Sequence, residues 1–212
     1  MIISHKHKFI FLKTIKTAGT SIEIALSKHC GPDDIITPIS PEDEKIRKNL
    51  GYQGPQNFKT PNIKFYNHMP AIEVKANVDS EIWDSYFKFC FSRNPWDRTI
   101  SLYFYLYQSE PRPSLSAFIN SRQLNHLING GLNVYTIDGQ IVVDRVCQFE
   151  KIAEELETIR IKLEIAETLE LPNAKSRFRQ DKRSYRELLS ESDKARIARR
   201  LSEEIRLFDY QF

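Results

Sequence analysis

The sequence predicts a three-layer α/β fold, with a central parallel β-sheet flanked by helices, over residues 1–212 as a single domain. Three observations carry this. Residues 8–14 and 87–92 are short runs rich in aromatic and apolar residues, and read as buried strands. Each run is followed by turn residues and then by helically spaced apolar positions, so strand and helix alternate. The length of 212 residues suits one sizeable core, and no repeat, low-complexity tract or linker divides it.

In chain order, strand 8–14 leads into a small-residue turn over 16–21. A helix follows over 21–28, with Ile22, Ala25 and Leu26 on one face. Residues 31–61 carry Pro32, Pro38, Pro41 and Pro55 and Gly31, Gly51 and Gly54. They read as a long excursion with one short helix over 42–50. A second strand is expected over 62–66 and a helix over 70–76 with Pro70 in its first turn. After strand 87–92, Asn94 is the N-cap and Pro95 the first residue of a helix reaching 108. Two short helices are expected over 114–128. Asp138-Gly139 marks a hairpin between 134–137 and 140–143. A short strand over 146–149, helical spacing over 152–169 and a basic loop over 173–186 follow. Ser190-x-x-Asp193 resembles a capping box, and Ile197, Leu201, Ile205 and Phe208 recur at helical intervals behind it.

Composition excludes several classes. Hydrophobic residues are 41% and charged residues 28%, ordinary for a globular chain. The net charge of +3 is too small to imply nucleic-acid binding, although six Lys or Arg against one Asp lie within 173–186. Cys30, Cys90 and Cys147 are widely spaced and form no C-x-x-C pair, and the five histidines show no zinc spacing, so no metal site is expected. No apolar run approaches a membrane span and no cleavable leader is evident, so a cytoplasmic protein is expected.

Two segments carry chemistry. Lys16-Thr17-Ala18-Gly19-Thr20-Ser21 links a strand to a helix. A helix start presents unpaired N–H groups and partial positive charge, small residues admit an anion to the backbone, and Lys16 adds a full charge. It is not a Walker A loop, because the lysine precedes the glycine. In Phe91-Ser92-Arg93-Asn94-Pro95-Trp96-Asp97, Arg93 sits at a strand's carboxyl end, where ligands collect in open α/β sheets. A guanidinium fork matches phosphate oxygens, and Ser101 lies two helical turns on. Taken alone, Arg93 pairs equally well with a carboxylate.

Together these segments resemble the PAPS-dependent sulfotransferase family (PAPS is 3′-phosphoadenosine 5′-phosphosulfate), in particular its carbohydrate and heparan sulfate enzymes. The segments Asp144-Arg145-Val146-Cys147-Gln148-Phe149 and Leu207-Phe208-Asp209-Tyr210-Gln211-Phe212 resemble downstream parts of it. The resemblance implies a P-loop-like fold and a soluble bacterial-type enzyme that moves a sulfuryl group from PAPS to a hydroxyl, without a metal. The acceptor is a small molecule or glycan; no nucleic-acid partner is implied and oligomeric state stays open. Lys16, Thr17, Ala18, Gly19, Thr20 and Ser21 are implied to hold the 5′-phosphosulfate, and Arg93 and Ser101 the 3′-phosphate. Arg179 and Lys182 are assigned to a basic loop covering the nucleotide. His68, in Asn67-His68-Met69-Pro70, is assigned as the general base and Lys16 as the cation at the leaving phosphate, with Glu73 as the rival base. One departure is Lys13-Thr14-Ile15 where many relatives have His-Ile-Pro; it is expected to place an extra charge near the sulfate. Two other classes stay in view: a P-loop-type nucleotide kinase, and a non-catalytic nucleotide- or RNA-binding module using 173–186.

Overall fold

The computed structural model describes residues 1–172, 181 and 183–212. Strands β1 (Ile2–Ser4) and β2 (Phe9–Phe11) form a tight hairpin, with Lys8 left-handed at its turn (φ 51°). Then come α1 (Gly19–Ser27), β3 (Ile35–Ile36), α2 (Pro41–Asn49), α3 (Ala71–Asn77), α4 (Ser80–Ser85), β4 (Phe87–Ser92) and α5 (Pro95–Leu106). The short helices α6 (Leu115–Asn120), α7 (Asn125–Asn129) and α8 (Leu132–Tyr135) lead to β5 (Thr136–Ile137), β6 (Gln140–Ile141) and β7 (Arg145–Gln148). Helices α9 (Ile152–Lys162), α10 (Tyr185–Leu188), α11 (Glu191–Arg200) and α12 (Ser202–Phe208) complete the described elements.

The central sheet has the order β3-β1-β2-β4-β7. Strands β2, β4 and β7 run parallel, and β1 and β3 add an antiparallel edge. The strands β2 and β4 are rich in apolar residues on both faces because both faces are covered. Ile2, Phe9, Phe11, Phe89 and Phe91 pack with Ile22 and Leu26 of α1 and Leu156 and Ile159 of α9. Their alternates Ile3, Ile10 and Cys90 pack against Val74 of α3, Trp83 and Tyr135. This is the three-layer arrangement the alternation of elements predicts. A third cluster joins α5, α6 and α11 around Ile100, Phe118 and Ile197.

Local expectations fare unevenly. Asn94 caps α5, its side-chain oxygen accepting from the Trp96 and Asp97 amides. Ser190 caps α11 by accepting from the Asp193 amide, but the Asp193 carboxylate accepts from Ser190 Oγ and Ser116 Oγ rather than closing a box. A capping box exists at Ser184 with Glu187 instead. The expected strand at 62–66 is absent. Lys59 and Lys64 form a lone bridge and the Phe65 amide donates to Phe58 O, which makes a small loop outside the sheet. The excursion at 31–61 supplies β3 and α2, so it is not merely a loop. Residues 134 and 135 belong to α8, which shortens the predicted hairpin arms.

Chain connection places the carboxyl ends of β2, β4 and β7 on one edge. The segments that leave those ends begin at Leu12, Arg93 and Phe149. Buried ion pairing fixes the edge from below. Arg98 donates to both oxygens of Glu204 at 2.8 and 2.6 Å, and Ser92 Oγ donates to Glu204 at 3.1 Å, tying α5, β4 and α12 together. Removing one partner of such a pair costs about 3–5 kcal/mol, because the other charge stays buried.

Candidate active site

A cavity of about 410 Å³ opens at this edge. It is lined by the whole run 13–21 together with Arg93, Ser101, Tyr105, Phe149, Asn67, His68, Ile39 and Ser40. The structure therefore gathers residues that stand up to 136 positions apart in sequence (149 − 13) around one space.

The first wall is the turn before α1. Lys16 and Ala18 are both left-handed, at φ 61° and 60°. Non-glycine residues adopt this region at an energetic cost, and such strain collects at ligand sites. Alternation of hand turns successive amides towards a common concavity, an anion-binding arrangement. Ala18 provides no side-chain cap, so the first amides of α1 face the cavity uncapped by it, at the positive end of the helix. Lys16 Nζ lies 4.1 Å from the Tyr105 ring centroid, which orients the ammonium over an aromatic face. Thr20 and Ser21 line the cavity. The Thr17 hydroxyl is differently used: it sits 2.8 Å from Thr14 Oγ1 and donates to Thr14 O, so it locks the turn. Thr14 Oγ1 in turn donates to Phe91 O, joining the turn to β4. The Ile15 amide donates to Gly130 O at 2.7 Å, and a Cβ on Gly130 would lie 2.9 Å from Ile15 Cγ2, which explains a glycine there.

The second wall carries Arg93. Both sequence readings of this residue describe part of its setting. Its Nε and Nη2 donate to Asp97 Oδ2 at 2.9 and 2.6 Å, its Nη1 donates to Lys16 O at 3.0 Å, and its guanidinium carbon lies 4.0 Å from the Phe149 ring centroid. It also lines the cavity beside Ser101. The carboxylate and ring thus fix the guanidinium plane at the edge of the space. The bond to Lys16 O links the two expected phosphate sites directly.

The third wall carries His68. It does not follow a strand as expected; it sits in a bend with φ 64°, a third left-handed residue at the cavity. Its Nδ1 lies 2.7 Å from Lys13 O, and a carbonyl only accepts, so Nδ1 bears the hydrogen and Nε2 keeps its lone pair. Burial and the nearby Lys13 ammonium lower the imidazole pKa from 6.5 to about 4, against the hydrogen bond that raises it. His68 is therefore neutral at pH 7, with the protonation state of a base. Glu73 is elsewhere: its carboxylate accepts from Tyr66 Oη at 2.6 Å on an exposed surface, and it is not among the cavity residues.

Lys13, expected to bring an extra charge near the sulfate, lines the cavity. Its ammonium is buried against Glu23 Oε2 at 2.7 Å and also donates to Asn67 Oδ1 at 3.2 Å. Arg179 and Lys182 lie outside the described residues. Sequence reasoning misses Phe149, Asn67, Ile39 and Ser40 as cavity residues, and reaches Tyr105 only as one of several aromatics that are mostly core. Phe149 has a usable signal, since like Arg93 it directly follows a strand of the sheet. Ile39 and Ser40 have none, because only the tertiary fold brings the excursion to the cavity.

No solved structure gives a significant match to this chain. An uncharacterized protein of Archaeoglobus fulgidus is 28% identical over 108 residues, which cover 49% of this chain and 88% of that protein. The model of the sulfotransferase family matches residues 1–134, a span that includes the Lys16 turn, His68, Arg93 and Ser101. With more than half its length matched, the chain belongs to the sulfotransferase family.

Proposed function

We propose that the protein transfers a sulfuryl group from PAPS to an acceptor hydroxyl by in-line displacement. The observation that carries this reading is the convergence of the Lys16 turn, the Arg93–Ser101 pair and His68 on one cavity. A donor with two separated phosphates suits two anion-binding walls about one space. The turn amides and Lys16, with Thr20 and Ser21, hold the 5′-phosphosulfate; Arg93 and Ser101 hold the 3′-phosphate. The acceptor hydroxyl loses its proton to His68 Nε2 as its oxygen bonds to sulfur. The bond from sulfur to the bridging phosphate oxygen breaks in the same step, and the charge gained by that oxygen is stabilised by Lys16 and the amides. The resemblance to carbohydrate and heparan sulfate enzymes favours a sugar hydroxyl, on a glycan or glycolipid.

The test is transfer from radiolabelled PAPS across panels of oligosaccharides, glycolipids and phenols, with and without EDTA. Label in a sugar-bearing product, retained in EDTA, is the expected result. Transfer that vanishes in EDTA and returns with magnesium would favour kinase-like chemistry.

A further inference from the structure

Glu23 lies in the second turn of α1, wholly buried, and has no place in the chemistry above. Its Oε2 accepts from Lys13 Nζ at 2.7 Å, and its Oε1 accepts from Thr37 Oγ1 at 3.2 Å and Arg47 Nη2 at 3.3 Å. The same Lys13 ammonium donates to Asn67 Oδ1 at 3.2 Å, Thr37 Oγ1 lies 3.1 Å from that oxygen as an alternative to its bond with Glu23, and Asn67 Nδ2 donates to Pro38 O. Asn67 directly precedes His68, and Lys13 O is the acceptor for His68 Nδ1. One buried carboxylate therefore joins the donor-binding helix, the segment after β2, the 31–61 excursion and the bend that carries the candidate base.

We propose, on the basis of the sulfotransferase reading, that Glu23 and Lys13 are positioning residues that set the orientation and tautomer of His68 relative to the phosphosulfate turn, and that the 31–61 excursion serves to close this junction. Gly19 supplies an independent observation. A Cβ there would lie 2.7 Å from Lys13 Cγ and 3.3 Å from Lys13 Cε, so this glycine makes room for the lysine stem to pass under α1. The turn is thus built around the Lys13 stem. Charge agrees with the geometry: burial raises the Glu23 pKa, but the Lys13 ammonium, the amino terminus and Arg47 outweigh it and hold the carboxyl at about 2. The carboxylate is ionised throughout the neutral range.

The test reads His68 without any donor or acceptor, so its result stands even if no sulfuryl transfer is found. Nitrogen-15 correlation spectra of the imidazole, assigned by their loss in His68→Gln, are recorded on the intact chain and on the paired variant Lys13→Met with Glu23→Gln. The paired change removes one charge of each sign and leaves Arg47 with Glu44, whose carboxylate is 3.3 Å away, so the guanidinium is not stranded. We expect one Nδ1–H tautomer in the intact protein and a mixture of tautomers in the variant. PAP (the product nucleotide) should bind the variant within about threefold of the original Kd by calorimetry. A folded variant that keeps the single Nδ1–H tautomer overturns the proposal. So does one that loses PAP affinity by more than about tenfold while His68 is unchanged, since the junction then serves the donor wall. Should the paired variant fail to fold, Gly19→Ala decides: it keeps every charge and displaces the Lys13 stem. The same mixed signature is expected, and an unchanged His68 spectrum rejects the role.

Discussion

The proposed donor wall and the proposed base wall of the cavity are built in opposite ways. The donor wall is local: six consecutive residues, 16–21, make a left-handed turn and a helix start, and Arg93 leans onto it through Lys16 O. The base wall is assembled at long range. His68 leaves a loop that pairs only weakly with itself, and it is oriented by Lys13, 55 residues earlier, through a junction that also needs Glu23, Thr37 and Arg47. Anion binding needs backbone amides, which a short motif supplies. A base needs one side-chain atom held at one place, which takes packing and buried charge from several elements.

Four substitutions or titrations separate the walls, from the largest effect to the smallest. His68→Ala should lower kcat by about 100- to 10,000-fold, the usual range for loss of a general base, and leave PAP affinity nearly intact. Near-normal turnover in that variant would move the base elsewhere. Lys16→Ala should lower both kcat and PAPS binding, because its charge meets the donor in ground and transition states alike; a pure kcat defect would contradict its place on the donor wall. Arg93→Ala should weaken PAP by about 1.5–3 kcal/mol, the worth of a hydrogen bond to a charged group, and weaken adenosine 5′-phosphosulfate less, since that nucleotide has no 3′-phosphate. Equal loss for both would place Arg93 at the other phosphate.

The fourth is a pH profile. Burial and Lys13 put the His68 pKa at about 4 in the folded protein, below the ordinary 6.5, with Glu23 opposing and the amino terminus adding to the shift. The folded state thus binds the proton more weakly than the unfolded one. The resulting stability is fully present above pH 6.5 and is lost as pH falls through about 4. The acid limb of kcat should lie in that lower range, and Lys13→Met should move it upward. An acid limb already near 6.5 in the unaltered protein would mean that His68 is not buried beside the Lys13 ammonium, the two causes that lower its pKa.

The same contrast explains what can be read from sequence. Strands β2 and β4 are legible because short runs rich in aromatic and apolar residues fit strands covered on both faces. Asn94-Pro95 marks the start of α5, since cap and first-turn chemistry are local. The turn at 16–21 is legible for the same reason. The antiparallel strands β1 and β3 are not: three and two residues carry too little periodicity, and β3 is a strand because β1 lies beside it. Sequence neighbours put Lys13 near the sulfate. The fold keeps Lys13 at the cavity and pairs its ammonium with Glu23, a partner the sequence does not announce. His68 is reached only through resemblance to the family, and the strand expected before it does not exist.

The measurement that tests the central claim most directly is calorimetric titration of the protein with PAP and with ATP under identical conditions. The proposed 5′- and 3′-phosphate sites predict that PAP binds at least about tenfold more tightly than ATP without magnesium, a difference of about 1.4 kcal/mol. ATP binding as tight as PAP, or PAP binding that requires magnesium, would contradict the account.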